Sequence, residues 1–365
     1  MFDFQSRINR LLYHMQEQVD GVLLSSPFSM RYYTGFTGGE GYVFIGRDGK
    51  SVVFTDFRYT EMVEKQCPIA SCVEIKGGKK GLEMMRDWMN QSKFCFENVG
   101  IEEGHLSVAT FSRLQEVFPR TNWAQANGII DAARAIKDAK EIELIAKAEE
   151  IGDKAFIHIL EFMKPGMTER EIALELEFFM RKQGAEGLSF DTIVASGENS
   201  SMPHAGVSDR VLQDGDLVTM DFGCVYEGYC SDMTRTVAVG TLSEKQRHVY
   251  DTVLEAQKMA LDGIRPGRKC SEIDAIARKH IYDAGYEGCF GHSLGHSVGL
   301  YIHEEPRFAE GCDTVLAPGM VITVEPGIYL SGQYGVRIED VIVVTEDGYR
   351  NLTHSEKALL FIKNS

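Results

Sequence analysis

The strongest constraint on the fold of this chain is that it matches itself. Leu212-Gln213-Asp214-Gly215-Asp216-Leu217-Val218-Thr219-Met220-Asp221-Phe222-Gly223 aligns without gaps with Leu316-Ala317-Pro318-Gly319-Met320-Val321-Ile322-Thr323-Val324-Glu325-Pro326-Gly327. Upstream, Pro165, Gly166, Glu171 and Ile172 recur as Pro266, Gly267, Glu272 and Ile273. Two separate segments repeating at nearly one offset predict a duplicated unit, each copy a helix pair followed by a β-hairpin, packed about a pseudo-twofold axis. In both copies an acidic residue occupies the same strand position.

That position decides the chemistry. In the first copy, apolar β-branched runs flank a Tyr226-Glu227-Gly228 turn, and Asp221 and Asp232 lie symmetrically about it. Side chains opposed on antiparallel strands come within roughly 5 Å, so the two carboxylates are expected to face each other. In the second copy Glu325 and Glu339 are symmetric about Gly332 and should do the same. Four converging carboxylates are unstable as bare anions and need protons or cations between them. Two divalent ions would offset their charge, and bridging carboxylates hold such ions roughly 3.5–4 Å apart. The glycine-rich run Gly291-His292-Ser293-Leu294-Gly295-His296-Ser297-Val298-Gly299 offers imidazoles that can approach a crowded site. An oxygen-rich set with one imidazole favours Mn²⁺ or Co²⁺ over a thiolate-type zinc site.

The remaining sequence bounds the setting. At 365 residues the chain has room for two domains. Its net charge of −16 argues against nucleic acid or an anionic membrane as partner, since both demand basic patches. Lys76-Gly77-Gly78-Lys79-Lys80 reads as a solvated turn. The eight cysteines lack the spacing of zinc or redox motifs, so reduced thiols in the cytoplasm are expected. Before residue 132, strand-like runs at Gly21–Leu24 and Ser51–Phe54 and a helical run at Leu82–Met89 predict an α/β domain, with Asp56 and Arg58 as a structural or interface ion pair. From Ile136 a long helix is expected, ending at Lys164-Pro165-Gly166, and the next helix should start at Thr168 with Glu171 closing a capping box. We therefore expect an N-terminal domain over 1–131 and a catalytic domain over 132–365.

Met220-Asp221-Phe222-Gly223, Ser231-Asp232-Met233-Thr234-Arg235-Thr236, Val324-Glu325-Pro326-Gly327 and Val336-Arg337-Ile338-Glu339-Asp340 resemble the motifs of the pita-bread metallopeptidases, which include methionine aminopeptidases and Xaa-Pro peptidases. Ile8–Leu12, Arg31-Tyr32-Tyr33-Thr34-Gly35-Phe36-Thr37-Gly38 and Thr55-Asp56-Phe57-Arg58-Tyr59 resemble the creatinase-type N-terminal domain of Xaa-Pro peptidases. The resemblance covers nearly the whole chain. It implies an α/β (α+β) architecture in which a creatinase-type domain precedes a pita-bread catalytic domain. It also implies five metal ligands, Asp221, Asp232, His296, Glu325 and Glu339, with Asp232 and Glu339 bridging two ions. These would be Mn²⁺, with Co²⁺, Zn²⁺ and Fe²⁺ as alternatives.

Further roles follow from the same resemblance. Glu325 would also carry the proton of the attacking water, and His204 and His303 would contact the substrate amide and stabilise the tetrahedral intermediate. His292 would line the substrate pocket, and Arg337 would orient Asp232 or the substrate. His248, His280 and His354 read as ordinary structural histidines. The implied activity is hydrolysis of the bond between an N-terminal residue and proline, by a homodimer formed through the N-terminal domain. Gly311-Cys312-Asp313-Thr314-Val315-Leu316 holds no arginine for a dipeptide carboxylate, and Arg307 is displaced upstream, which points to longer peptides and an Xaa-Pro aminopeptidase, with Xaa-Pro dipeptidase activity as the other expectation. A methionine aminopeptidase, or a creatinase-like or binding protein on the same fold, is the alternative.

Overall fold

Runs of Val, Phe, Ile and Leu too short for helices build the first unit of the computed structural model, which describes residues 2–16 and 18–362. The chain divides into two compact units, Met1–Arg134 and Ala135–Ser365. The first contains α1 (Phe4–Met15), β1 (Gly21–Leu24), α2 (Pro27–Thr34), β2 (Tyr42–Gly46), β3 (Ser51–Thr55), α3 (Thr60–Gln66), β4 (Ala70–Glu74), α4 (Gly78–Gln91), β5 (Asn98–Ile101), α5 (Val108–Val117) and β6 (Asn122–Gln125), and the helix α6 (Asn127–Ala135) crosses its end. The sheet order is β4-β3-β2-β1-β5-β6, with β2 antiparallel to both its neighbours. Strands β1 and β3 are buried along their whole length, as strands covered on both faces must be. Leu23, Phe44, Val52, Phe54 and Met85 form the centre of this core.

Asp56 and Arg58 pair at 2.6 Å, and Arg58 also reaches Glu40. Lys79 and Lys80 are not in a turn: α4 starts at Gly78, because burying Leu82 and Met85 extends the helix one turn upstream.

The second unit opens with α7 (Ala139–Phe162) and α8 (Glu169–Lys182). Helix α7 begins three residues later than Ile136. The backbone N–H of Lys137 is drawn to Gly319 O, and Asp138 caps the helix with Glu141 in return. Helix α8 has the Thr168/Glu171 capping box. There follow β7 (Gly187–Leu188), β8 (Ile193–Ser196), β9 (Leu217–Phe222), β10 (Cys224–Tyr226), β11 (Tyr229–Cys230), β12 (Met233–Val239), α9 (Glu244–Gly263) and α10 (Cys270–Ile281). After them come β13 (Gly295–Ser297), β14 (Glu304–Phe308), β15 (Val321–Val324), β16 (Gly327–Leu330), β17 (Tyr334–Arg337) and β18 (Asp340–Val344).

The duplication is visible bond by bond. Gly166 N donates to Leu212 O, as Gly267 N does to Leu316 O; Glu169 N donates to Arg210 O, as Cys270 N does to Thr314 O. Gly215 and Gly319 both sit at φ +90°, a left-handed conformation that a side chain would strain. Each copy has its own core. One packs α7 and α8 on β8, β9 and β12 through Ile159, Ile172, Met220 and Val237; the other packs α9 and α10 through Val253, Ile273, Ile322 and Ile342. The copies meet where β12 runs beside β17 and β18: Glu339 N donates to Thr234 O at 3.1 Å and Thr236 Oγ1 to Arg337 O at 2.9 Å. Arg235, 1% exposed, crosses this seam to Asp340 at 2.7 Å.

Candidate metal centre

Strand register places the carboxylates. In the first hairpin Tyr226 pairs with Tyr229, so the turn is the dipeptide Glu227-Gly228, at φ 44° and 83°. This is the two-residue, left-handed loop that suits hairpin twist. Asp221 then pairs with Thr234, and Asp232 falls two residues further on, opposite Gly223. The expected face-to-face aspartates are therefore diagonal neighbours on one face. The correction follows from a turn one residue shorter than Tyr226–Gly228, which moves the centre of symmetry. Gly223 cannot carry a side chain, since a Cβ there would lie 2.0 Å from Ser231 O. In the second hairpin Val324 pairs with Asp340 and Gly327 with Arg337, which sets Glu325 opposite Glu339.

These four carboxylates, His296, His204, His292, His303 and Arg337 all line one cavity of about 680 Å³. Asp232, His296 and Glu339 are buried and present ligand atoms within 4.8 Å of one another. His296 Nε2 lies 3.4 Å from Asp232 Oδ2 and 3.5 Å from Glu325 Oε1. Its Nδ1 faces Ser297 O at 3.2 Å, so Nε2 is the nitrogen turned to the carboxylates. Burial pushes this imidazole down to about 3, so it is neutral, as a metal ligand must be.

The carboxylates shift the other way. Burial first, then Glu339 and Asp221, hold Asp232 well above the usual carboxylate range; burial, then Glu325 and Asp221, do the same to Glu339. Burial pushes Glu325 up to about 8, opposed by Arg337. Asp221 Oδ2 accepts from Arg337 Nη2 at 2.5 Å, while its Oδ1 is buried with no hydrogen-bond partner among the described residues. An orphaned buried oxygen among carboxylates that cannot ionise together is a deficit of positive charge. The donor set fits divalent cations, with oxygen predominating and one neutral imidazole.

Arg337 departs from expectation. It touches Asp221 rather than Asp232, because β17 brings it alongside the Asp221–Thr234 pair. It also donates to Thr234 Oγ1, Tyr329 OH and Pro203 O. His292 Nε2 meets the same Tyr329 hydroxyl at 2.9 Å. His204 and His303 are exposed at the cavity mouth, and the His303 ring lies 4.6 Å from that of His296 at 73°. Partial burial lowers the His303 pKa, with Arg307 and His204 adding to the effect. His248 and His280 lie in α9 and α10, away from the cavity lining, as does His354.

Three further residues join the site. Glu149 of α7, fully buried, accepts from Asp232 N at 2.8 Å and from Thr353 Oγ1 at 2.8 Å, and burial pushes it up to about 8. Its signal in the sequence was an acid on the apolar face of a long helix. Tyr329 gave none. Arg307 enters the cavity wall because β14 pairs with β13 at His296↔Arg307, so displacement along the sequence is not displacement in space.

The profile of metallopeptidase family M24 matches residues 143–346, and that of the creatinase/prolidase N-terminal domain matches residues 7–136. The chain belongs to metallopeptidase family M24. Among its M24 relatives, the Xaa-Pro dipeptidase of Pyrococcus furiosus is 40% identical over 98% of this chain and 100% of its own. Of the solved structures, an Xaa-Pro dipeptidase from Bacillus anthracis superposes with a TM-score of 0.94 at 43% identity, covering 98% of this chain and 100% of its own. An X-Pro aminopeptidase from Thermotoga maritima gives 0.88 at 37% identity, with 98% and 100% covered. The architecture is thus the pita-bread fold preceded by a creatinase-type domain, and the protein is a metallo-exopeptidase of the Xaa-Pro group within M24.

Proposed function

We propose that the protein hydrolyses the bond between an N-terminal residue and proline with two divalent cations, Mn²⁺ first among them. Asp221, Asp232, His296, Glu325 and Glu339 would hold them, with Asp232 and Glu339 shared between the two. The observation that carries this reading is the orphaned Asp221 Oδ1 among carboxylates whose pKa values burial, then their neighbours, raise well above the usual range. Bound there, the cations would polarise the scissile carbonyl and make water a nucleophile at neutral pH.

The chain's own groups supply the rest. Glu325, in the cavity wall with Oε1 3.5 Å from His296 Nε2, is placed to take a proton and return it to the leaving proline nitrogen. His303, kept neutral, can donate a hydrogen bond to the developing oxyanion, and His204 across the mouth can hold the substrate amide. Arg337 fixes Asp221, and the Tyr329 hydroxyl it shares with His292 ties that imidazole to the same guanidinium.

Arg307 supports a dipeptide as the preferred substrate, since it is a cation in the cavity wall whose ion-pair partner among the described residues is exposed Glu305, at 3.2 Å. This reverses the lean towards longer peptides. Comparing kcat/KM for Leu-Pro and Leu-Pro-Gly tests it: the dipeptide should be favoured. A preference for the tripeptide selects the aminopeptidase reading, which the Thermotoga maritima neighbour supports. Failure of the chelator-stripped protein to regain leucine release from either substrate with Mn²⁺ or Co²⁺ would sink both readings.

All eight cysteines are free thiols, and no helix among the described residues is long and apolar enough to cross a membrane. With the net charge of −16, this supports a cytoplasmic protein acting on peptides, which we take to be a homodimer.

A further inference from the structure

The mechanism above leaves one buried charge unused. The side chain of Lys137 is 1% exposed, and its ammonium donates to Ser297 Oγ at 2.7 Å and to Glu304 Oε2 at 3.2 Å. Ser297 is the residue after His296, and Glu304 is the residue after His303. A single cation therefore grips the neighbour of each histidine, at the two ends of a segment that brings their rings 4.6 Å apart.

The segment between is folded onto the same carboxylate. Glu304 Oε1 accepts from Tyr301 N at 3.1 Å, and a Cβ on Gly299 would lie 2.6 Å from it. The two ends are not held equally. His296 N donates to Thr323 Oγ1 at 3.0 Å, Ser297 pairs with Ile322, and Ser297 Oγ donates to Val321 O. His303 precedes the first residue of β14, and it is its neighbour Glu304 that pairs with Ser297. The place of His303 follows that of Glu304, whose carboxylate is held by Lys137 on one oxygen and by Tyr301 N on the other.

We propose that Lys137 is a positioning residue that sets His303 against the metal centre, acting through Glu304 and Ser297. The inference rests on the peptidase reading of the site. A buried ion pair is a poor source of net stability, because desolvation of both charges offsets their attraction. What it does supply is a fixed geometry for the backbone that carries its partners, and here that backbone carries His303.

The test uses the full chain as Lys137→Met and as Lys137→Met/Glu304→Gln, the second variant removing the buried negative charge that has lost its lysine in the first. In the double variant the thermal midpoint and the Mn²⁺ content should match wild type, because His296 keeps its strand anchors. Turnover of Leu-Pro should fall at least tenfold, with KM changed less than threefold. In spectra of metal-free protein carrying ¹³Cε1-labelled histidine, the His303 resonance, assigned by its loss in His303→Ala, should move while that of His296 stays. A folded double variant with wild-type turnover and an unmoved His303 resonance overturns the proposal, as does loss of Mn²⁺ equal to that of a ligand mutant. If wild type itself releases no leucine from Leu-Pro or Leu-Pro-Gly, the functional reading fails, and the histidine spectra still judge the geometric one.

Discussion

Asp221 divides its carboxylate between two tasks, one oxygen held by Arg337 and the other left for a cation. Asp221→Asn should therefore lose metal and activity together, by more than the roughly 10–100-fold typical of a change one shell further out, and Glu339→Gln should do the same. His204→Ala keeps every proposed ligand. It should retain its metal, measured by elemental analysis, and lose about 10²-fold in kcat/KM, the cost of a misplaced substrate; metal loss as complete as in Asp221→Asn would void its assignment. Arg307→Met should raise KM for Leu-Pro about tenfold or more and leave Leu-Pro-Gly little changed, which steady-state kinetics on both substrates will read. At this scale the five proposed ligands were legible because each sits in a short motif. Tyr329 and Glu149 were not, since a tyrosine in a strand or a glutamate in a helix carries no local mark of the partner it meets across the fold.

Elements set the spacing of those residues, and one glycine shows how closely. A Cβ on Gly295 would lie 1.9 Å from Thr323 O, so Gly295→Ala forces β13 off β15 and carries His296 with it. A stability loss of about 1–3 kcal/mol is expected from such overpacking, with metal affinity falling in parallel; denaturant titration and metal analysis check the two. Helix boundaries were readable where capping chemistry is local, as at Thr168 and Glu171. The offset of Asp221 from Asp232 was not, because a turn shorter by one residue leaves the apolar pattern of both strands intact and changes only the register. The Glu325/Glu339 pairing was readable because its turn is centred on Gly332, as the symmetry of the sequence required.

Across the whole molecule, the buried centre ties stability to pH in the metal-free state. Glu325 rises from its ordinary 4.5 to about 8, and Asp232 and Glu339 rise well above the usual range, so the folded state binds more protons than the unfolded one once pH exceeds about 4.5. Stability from these groups is full below that pH and is lost as pH climbs towards 8. His296, lowered from 6.5 to about 3, and His292, lowered to about 4, act oppositely: their contribution is present above 6.5 and is lost as pH falls. The thermal midpoint of chelator-stripped protein should therefore decline from pH 6.5 to 8, and the increment restored by Mn²⁺ should grow over the same interval. Calorimetric scans with and without metal will show it, and a flat or rising midpoint would contradict the charge-deficit account.

The two copies keep separate cores and meet along β12 and β17, with Asp232 on one side of the seam and Glu339 on the other. Ions shared by that pair would be a cross-link, joining points roughly a hundred residues apart along the chain. In chain-entropy terms, closing a loop of that length is worth about 4–5 kcal/mol. The centre would then act on the molecule as a removable disulfide does, and chelation should open exchange at the backbone amides of Glu339 and Arg337 while those buried within either core stay protected.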